Sequence, residues 1–373
     1  MKLTRRGFAK FLFCSGASLA ATGFPARRLA AAAAKRKPRA REAAHYEKLD
    51  SKRVRCGLCS HQCLVGDGGR GACGVRENRG GVYHTLVYGQ PCAVHVDPVE
   101  KKPLFHYFPG SRAFSLATAG CNFSCRFCQN WEISQRRPEE VDTADLDPQA
   151  VVRQAGERNC RMIAHTYNEP TVFFEYMRDC AALGREAGVP SVMISNGFIR
   201  KEPMRELCRV LGAVKIDLKA FSESFYREQC GGRLKPVLDT LLTVRAEKPW
   251  LEVVTLVIPG LNDSHTEIEA LCRWLVRELG RDVPLHFTRF TPLYRLRNVP
   301  PTPPATLHQA RRIAMDAGIR FCYIGNLVSD AENTNCPSCG KLLLRRLMFS
   351  VENQGLEGNS CKYCHAEIPG VFS

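Results

Sequence analysis

The sequence has no apolar run long enough to cross a bilayer as a helix. Its best candidate, Phe11 to Phe24, is short and broken by Ser15, Gly16, Ser18 and Gly23. No integral membrane segment is therefore expected in the mature protein. The body also lacks the cationic excess of a nucleic-acid surface. The formal net charge is +16, but residues 1–55 hold 15 Lys+Arg against 3 Asp+Glu, so the rest carries only +4. A near-neutral body gives no reason to expect a nucleic-acid partner. A disulfide framework is missing as well. Of 19 cysteines, eleven fall in three tight groups, at 56–73, 121–128 and 336–364, which is a metal pattern.

The middle group lacks a fourth member. Cys121, Cys125 and Cys128 are spaced Cys-x3-Cys-x2-Cys. Three soft thiolates on so tight a loop suit a cubane iron–sulfur cluster of four irons. One iron is then left without a protein ligand, the feature that separates a reactive metal site from a closed structural one. The other reading is a zinc site that borrows a ligand from elsewhere. Eight cysteines stand apart, at 14, 92, 160, 180, 208, 230, 272 and 322. Cys180, Cys208 and Cys272 sit among apolar neighbours in helical patterns and read as small buried hydrophobes.

Thr4 to Lys10 resembles a twin-arginine export signal, and Ala30 to Ala34 offers small-residue cleavage positions. Residues 1–34 read as that signal segment, with the periplasm as the suggested destination and the cytoplasm as the alternative. Residues 35–52 read as a basic linker. From residue 111 to 328, short apolar runs alternate with amphipathic stretches. Strands are predicted at 113–118, 162–167, 191–195, 214–218, 251–258, 285–290 and 321–324. Helices are predicted at 147–158, 171–187, 202–211, 236–247, 264–279 and 304–317. Ser264 and Glu267 have capping-box spacing. Such alternation implies an α/β fold with a parallel sheet, open or curved. Along the fourth strand, Lys215, Asp217 and Lys219 share one face by period two. Buried charges need partners, so they pair with one another or with a bound cofactor.

Cys336, Cys339, Cys361 and Cys364 form two CxxC knuckles in a zinc-ribbon-like module, residues 329–373. Cys56, Cys59, Cys63 and Cys73 lie in a glycine-rich region, residues 53–110. They read as a second closed site, for structural zinc or for an electron-relaying cluster.

The loop from Ala119 to Asn130, with Phe127 before the last cysteine, resembles the signature of the radical SAM superfamily. Together with the run Asp97 to Leu104, the Thr166-to-Pro170 run and both outer cysteine sets, it makes the chain similar to the radical SAM enzyme of the AmmeMemoRadiSam system and to pyruvate formate-lyase activating enzymes. That resemblance implies a (β/α)6 partial barrel and a [4Fe-4S] cluster on Cys121, Cys125 and Cys128. It implies that the open iron binds S-adenosyl-L-methionine (SAM), whose reductive cleavage gives a 5′-deoxyadenosyl radical that abstracts hydrogen from a substrate. Residue by residue, it points to Asn168, Glu169, Ser195, Asn196, Asp217 and Lys219 as cofactor contacts. Two departures stand out: Tyr167-Asn168 replaces a glycine pair, and Ile194 stands where relatives have an aspartate. The implied partners are a flavodoxin- or ferredoxin-type reductant and a protein substrate. A small-molecule substrate, or a non-catalytic electron carrier, are the competing readings. No residue is singled out as catalytic.

Overall fold

The small N-terminal strands β1 (Arg41–Glu42), β2 (Tyr46–Lys48), β3 (Val54–Cys56), β4 (Leu64–Val65), β5 (Arg76–Arg79) and β6 (Val82–Thr85) make two antiparallel sheets, ordered β1-β6-β5 and β2-β3-β4. The computed structural model describes residues 39–373. The export-like segment, residues 1–34, lies outside the described residues. The stretch expected as a linker instead supplies β1 and β2, because each finds an edge to pair with.

The main sheet has eight strands: β7 (Ala93–Pro98), β8 (Arg112–Ala117), β9 (Met162–His165), β10 (Ser191–Ser195), β11 (Leu211–Asp217), β12 (Trp250–Val257), β13 (Leu285–Arg289) and β14 (Cys322–Gly325). Its order is sequential, with β7 and β14 at the two edges. Strands β8 to β14 pair in parallel, as the alternation predicts, while β7 joins β8 antiparallel. The connections carry α1 (Trp131–Ser134), α2 (Pro148–Glu157), α3 (Phe174–Glu186), α4 (Lys201–Cys208), α5 (Glu223–Phe225), α6 (Leu234–Glu247), α7 (His265–Leu279) and α8 (Pro304–Asp316). Asp147 caps α2, its carboxylate accepting from Ala150 N at 2.7 Å. The capping box on α7 forms only by half. Ser264 Oγ accepts from Glu267 N, but the Glu267 carboxylate accepts instead from Phe221 N at 2.8 Å.

The two sheet faces differ as a parallel sheet requires. Phe114, Ile163, Met193, Val214 and Ile216 pack against the helices, in one core with Val151, Met177, Leu207 and Leu271. The alternate residues, Ala113, Met162, Ala164, Val192, Ile194 and Ala213, pack with Val99, Leu104 and Tyr107 instead. Cys180, Cys208 and Cys272 are buried, as expected of small hydrophobes.

The segment from Asp97 to His106 is fixed by buried charge. Glu252 accepts from Phe105 N at 3.0 Å, His106 N at 2.8 Å and Trp250 Nε1 at 3.0 Å, and its other buried partner is His286 at 2.7 Å. Lys102, 3% exposed, donates to Asp97 at 2.5 Å, and Tyr167 Oη donates to the same carboxylate. Burial alone would raise the Asp97 pKa; Lys102 and Tyr167 outweigh it and hold the carboxyl well below its ordinary value.

The C-terminal module adds β15 (Thr334–Asn335), β16 (Leu342–Leu347), β17 (Ser350–Asn353), β18 (Leu356–Glu357) and β19 (Ser360–Cys361). It shares a core with the main body, where Leu343, Leu344 and Ile368 pack with Phe105, Phe321 and Tyr323. Arg346, fully buried, donates to Phe105 O at 2.8 Å and to Thr334 Oγ1 at 2.7 Å. The sulfurs of Cys336, Cys339, Cys361 and Cys364 all lie within 4.8 Å of one another, so this quartet could hold one metal ion.

Two buried histidines make stability depend on pH. Burial pushes His165 down to about 3 and His106 down to about 4. The unfolded chain titrates near the ordinary value of about 6.5, so between the folded and unfolded values it binds more protons than the native state. Stability therefore rises with pH up to about 6.5 and falls below it, by up to roughly 1.4 kcal/mol per pH unit for each histidine. We predict that His165→Asn flattens the dependence of the urea midpoint on pH between 4 and 6.5. A slope equal to that of the parent would contradict this assignment.

Candidate cluster and cofactor site

The cysteine loop leaves the C-terminal end of β8, where loops of a parallel sheet carry function. Gly120 opens it with φ +87°, and a Cβ there would stand 2.5 Å from Val75 Cγ1 and 2.7 Å from Cys73 O. Only glycine fits so close an approach. The N-terminal region thus presses directly on the residue before Cys121.

The loop has no ladder of its own, so its polar groups find partners on other segments. Ser124 N donates to Cys230 O at 2.8 Å and Arg126 N to Gln229 O at 2.9 Å. These acceptors end a single π turn, Tyr226–Cys230, followed by Gly231 at φ +72°. Asn122 Nδ2 donates to Phe198 O at 2.9 Å, and Asn122 Oδ1 accepts from Asn196 Nδ2 at 2.8 Å. His61 Nε2 lies 2.7 Å from Asn122 O. Asn168 Nδ2 donates to Thr118 O at 2.6 Å and Gly120 O at 2.5 Å.

The three sulfurs are polarised individually. Cys121 Sγ accepts from Phe123 N at 3.3 Å, and Cys128 Sγ lies 3.1 Å from Ser134 Oγ. The buried Cys230 thiol donates to Cys125, which pulls the Cys125 pKa down; Lys219 adds to the pull. Sequence reading missed Cys230, which lies far along the chain in a stretch without helical periodicity.

The six residues inferred as cofactor contacts divide into two groups. Glu169 is buried and its carboxylate accepts three bonds, from Thr171 N at 2.9 Å, Ser195 Oγ at 2.8 Å and Asn196 N at 2.7 Å. Ser195 Oγ also accepts from Gly197 N, and Asn196 Oδ1 from Phe198 N. These three residues tie the ends of β9 and β10 to the cysteine loop. Asn168, Asp217 and Lys219 keep capacity. Asn168 Oδ1 is buried without a hydrogen-bond partner. Asp217 pairs with Lys215 and, at 3.2 Å, with Lys219, so the period-two expectation holds. Burial alone would raise the Asp217 pKa, but the two lysines bring it down to about 2. Its side chain remains 31% exposed, while Lys219 interacts electrostatically with both Asp217 and Cys125.

His165, the last residue of β9, is wholly buried beside Ser191 Oγ at 3.3 Å. Tyr294 stacks on Trp131, three residues past Cys128, with centroids 5.1 Å apart. Arg289 donates to Thr302 O at 2.9 Å. Tyr167, in the left-handed region at φ +68°, was read only as a substitution for glycine. Its ring also lies 4.4 Å from Lys102 Nζ.

The donor set fits a cluster with an open iron and an amino-acid ligand. It offers three thiols on one loop, an orphaned acceptor at Asn168 for an ammonium group, and a cation at Lys219 for a carboxylate. The family profile described as radical SAM superfamily matches residues 115–275. MJ0808 of Methanocaldococcus jannaschii is 44% identical over 89% of this chain and 100% of its own length. Isethionate sulfite-lyase activating enzyme of Nitratidesulfovibrio vulgaris is 33% identical over 26% of this chain and 34% of its own. A solved domain of pyruvate-formate lyase-activating enzyme from Bacteroides vulgatus, 17% identical, covers 44% of this chain and 99% of that one, with a TM-score of 0.40. The profile match lies over the strands and helices that build the site, and the archaeal relative extends the likeness across nearly the whole described chain: it belongs to the radical SAM superfamily.

Proposed function

We propose that the chain cleaves SAM reductively and uses the resulting 5′-deoxyadenosyl radical to abstract hydrogen from a substrate. The observation that carries this reading is the three-thiol loop itself, which supplies three ligands to a cubane that has four irons. When bound, the cluster supplies one electron to the sulfonium of SAM. The chain's own residues position and shield. Asn168 fixes the loop through its amide N–H groups and offers Oδ1 to the methionine ammonium. Lys219 would hold the methionine carboxylate, and Asp217 would accept from a ribose hydroxyl. Glu169, Ser195 and Asn196 act at one remove, by holding the strand ends beneath the loop.

The named activating-enzyme relative supports a protein as the hydrogen donor, in the manner of an activating enzyme. A flavodoxin- or ferredoxin-type protein is the proposed reductant. In the C-terminal module zinc is the proposed ion. Thiolates at about 2.3 Å from zinc in a tetrahedron stand about 3.8 Å apart. The paired sulfurs here are 3.6 and 3.7 Å apart.

Anaerobic reconstitution with iron, sulfide, SAM and dithionite should yield 5′-deoxyadenosine and methionine, and Cys125→Ala should abolish both. A parent protein that yields no more than the Cys125→Ala control would overturn the proposal. The two groups of site residues should separate as well. Glu169→Gln leaves buried donors unpaired, which costs roughly 1–3 kcal/mol, and thermal denaturation should show it. Lys219→Met leaves Asp217 paired with Lys215, so it should weaken SAM binding in titration calorimetry while the unfolding temperature changes little. Full stability in Glu169→Gln would contradict its structural role.

A further inference from the structure

We infer that Cys56, Cys59, Cys63 and Cys73 hold a second iron–sulfur cluster, which exchanges single electrons with the cluster on Cys121, Cys125 and Cys128. The metal assignment stands on the cage alone. The electron exchange rests on the radical SAM reading.

The two outer cysteine sets differ in geometry. The C-terminal sulfurs have closed to single-ion distance, about the 3.8 Å separation zinc imposes. Among the described residues no such closing occurs in the N-terminal quartet. Its four residues instead line one small cavity, together with Arg76, Tyr83 and Asn122. Cys121, Cys125 and Cys128 are likewise not drawn to single-ion distance. That is expected where each thiolate binds a different iron and sulfides fill the space between them.

The cavity also carries donors in search of acceptors. Arg76 is 1% exposed, donates Nη1 to Ala44 O and Nη2 to Glu175, yet its Nε has no hydrogen-bond partner. Tyr83 Oη is also buried without one. Gly71 leaves the hydroxyl room beside Cys63, since a Cβ there would stand 2.6 Å from Tyr83 Oη and 3.6 Å from Cys63 Sγ. Buried polar groups are seldom left unpaired. A zinc ion adds no acceptor beyond the thiolates that bind it. A cluster adds bridging sulfides, which accept hydrogen bonds, and such bonds tune a cluster's potential. Ala72 N already donates to Cys63 Sγ at 3.4 Å.

The cage adjoins the reactive loop. His61, between Cys59 and Cys63, bonds Asn122 O between Cys121 and Cys125. Cys73 O sits against Gly120. An open polar cavity of about 730 Å³ touches His61, Cys73 and Cys121 together. In the proposed exchange the N-terminal cluster is oxidised by one electron as the second is reduced by one. A low-potential one-electron carrier protein then restores the first.

The test uses the full chain carrying Cys121→Ala, Cys125→Ala and Cys128→Ala together, reconstituted anaerobically. It should keep about four irons and as many sulfides per chain, with visible absorption that bleaches on reduction. It should also keep one zinc. Two zinc ions and no iron would overturn the inference. If the triple variant fails to fold, total iron in the parent decides. About eight irons support the second cluster, and about four with two zinc ions exclude it. In that last case 5′-deoxyadenosine would still form, so failure here is distinct from failure of the radical SAM reading.

Discussion

The loop from Gly120 to Asn130 has almost no regular secondary structure, so its buried backbone groups must be satisfied from outside. That requirement organises the site. Asn168 reaches from the end of β9 to Gly120 O and to Thr118 O just before the loop. Asn196 reaches from the end of β10 to Asn122, and the π turn before Gly231 supplies two more acceptors. Each contact comes from a different strand end, so the loop is placed only when the parallel sheet is assembled. Loss of Asn168 would leave Thr118 O and Gly120 O without this donor, at a cost of roughly 1–3 kcal/mol each. The thiols are thereby fixed in place by groups that do not themselves ligate.

A second constraint is buried charge. Lys102, Lys215, Asp217, Lys219, Glu252 and His286 lie in or beside the sheet, where isolated charges are costly. They are distributed so that each meets an opposite partner or a convergent set of backbone donors. Asp97, Lys102 and Glu252 are paired in the interior and lock the segment before β8 in place. Lys215, Asp217 and Lys219 pair but leave Asp217 partly open. The first set fixes the segment before β8, and the second keeps capacity for a ligand. Desolvation governs both, with different outcomes: burial lowers Lys102 to about 8, while Asp217 and Cys125 raise Lys219 above its ordinary value.

Much of this was legible beforehand. The strands of the parallel sheet and their helices announce themselves through short apolar runs and 3.6-residue patterns, and most boundaries fall within a residue or two. The spacing of Cys121, Cys125 and Cys128 singles out the candidate site, and period two places Lys215, Asp217 and Lys219 on one face. What stayed hidden is long-range partner choice. Glu169 matches a family run, yet its carboxylate is occupied by Ser195 and Asn196, residues of the next strand. Glu267 has capping-box spacing but serves Phe221 instead. The strand Ala93–Pro98 joins the main sheet although its half-polar pattern suits a small separate sheet equally well. Cys230 meets Cys125 only through tertiary folding. Local rules give the elements, and competition for buried hydrogen bonds decides which polar groups remain for ligands.

The central claim is an iron that the polypeptide leaves unligated. Cys230 is the thiol best placed to challenge it, since it already touches Cys125. Electron–nuclear double resonance on the reduced cluster, with SAM isotope-labelled at its amino nitrogen and carboxylate oxygens, tests the claim most directly. Hyperfine coupling from both labels is predicted, unchanged in Cys230→Ala. Absence of coupling from either label, with a cluster spectrum that changes when Cys230 is replaced, would show a protein-ligated fourth iron and contradict the account.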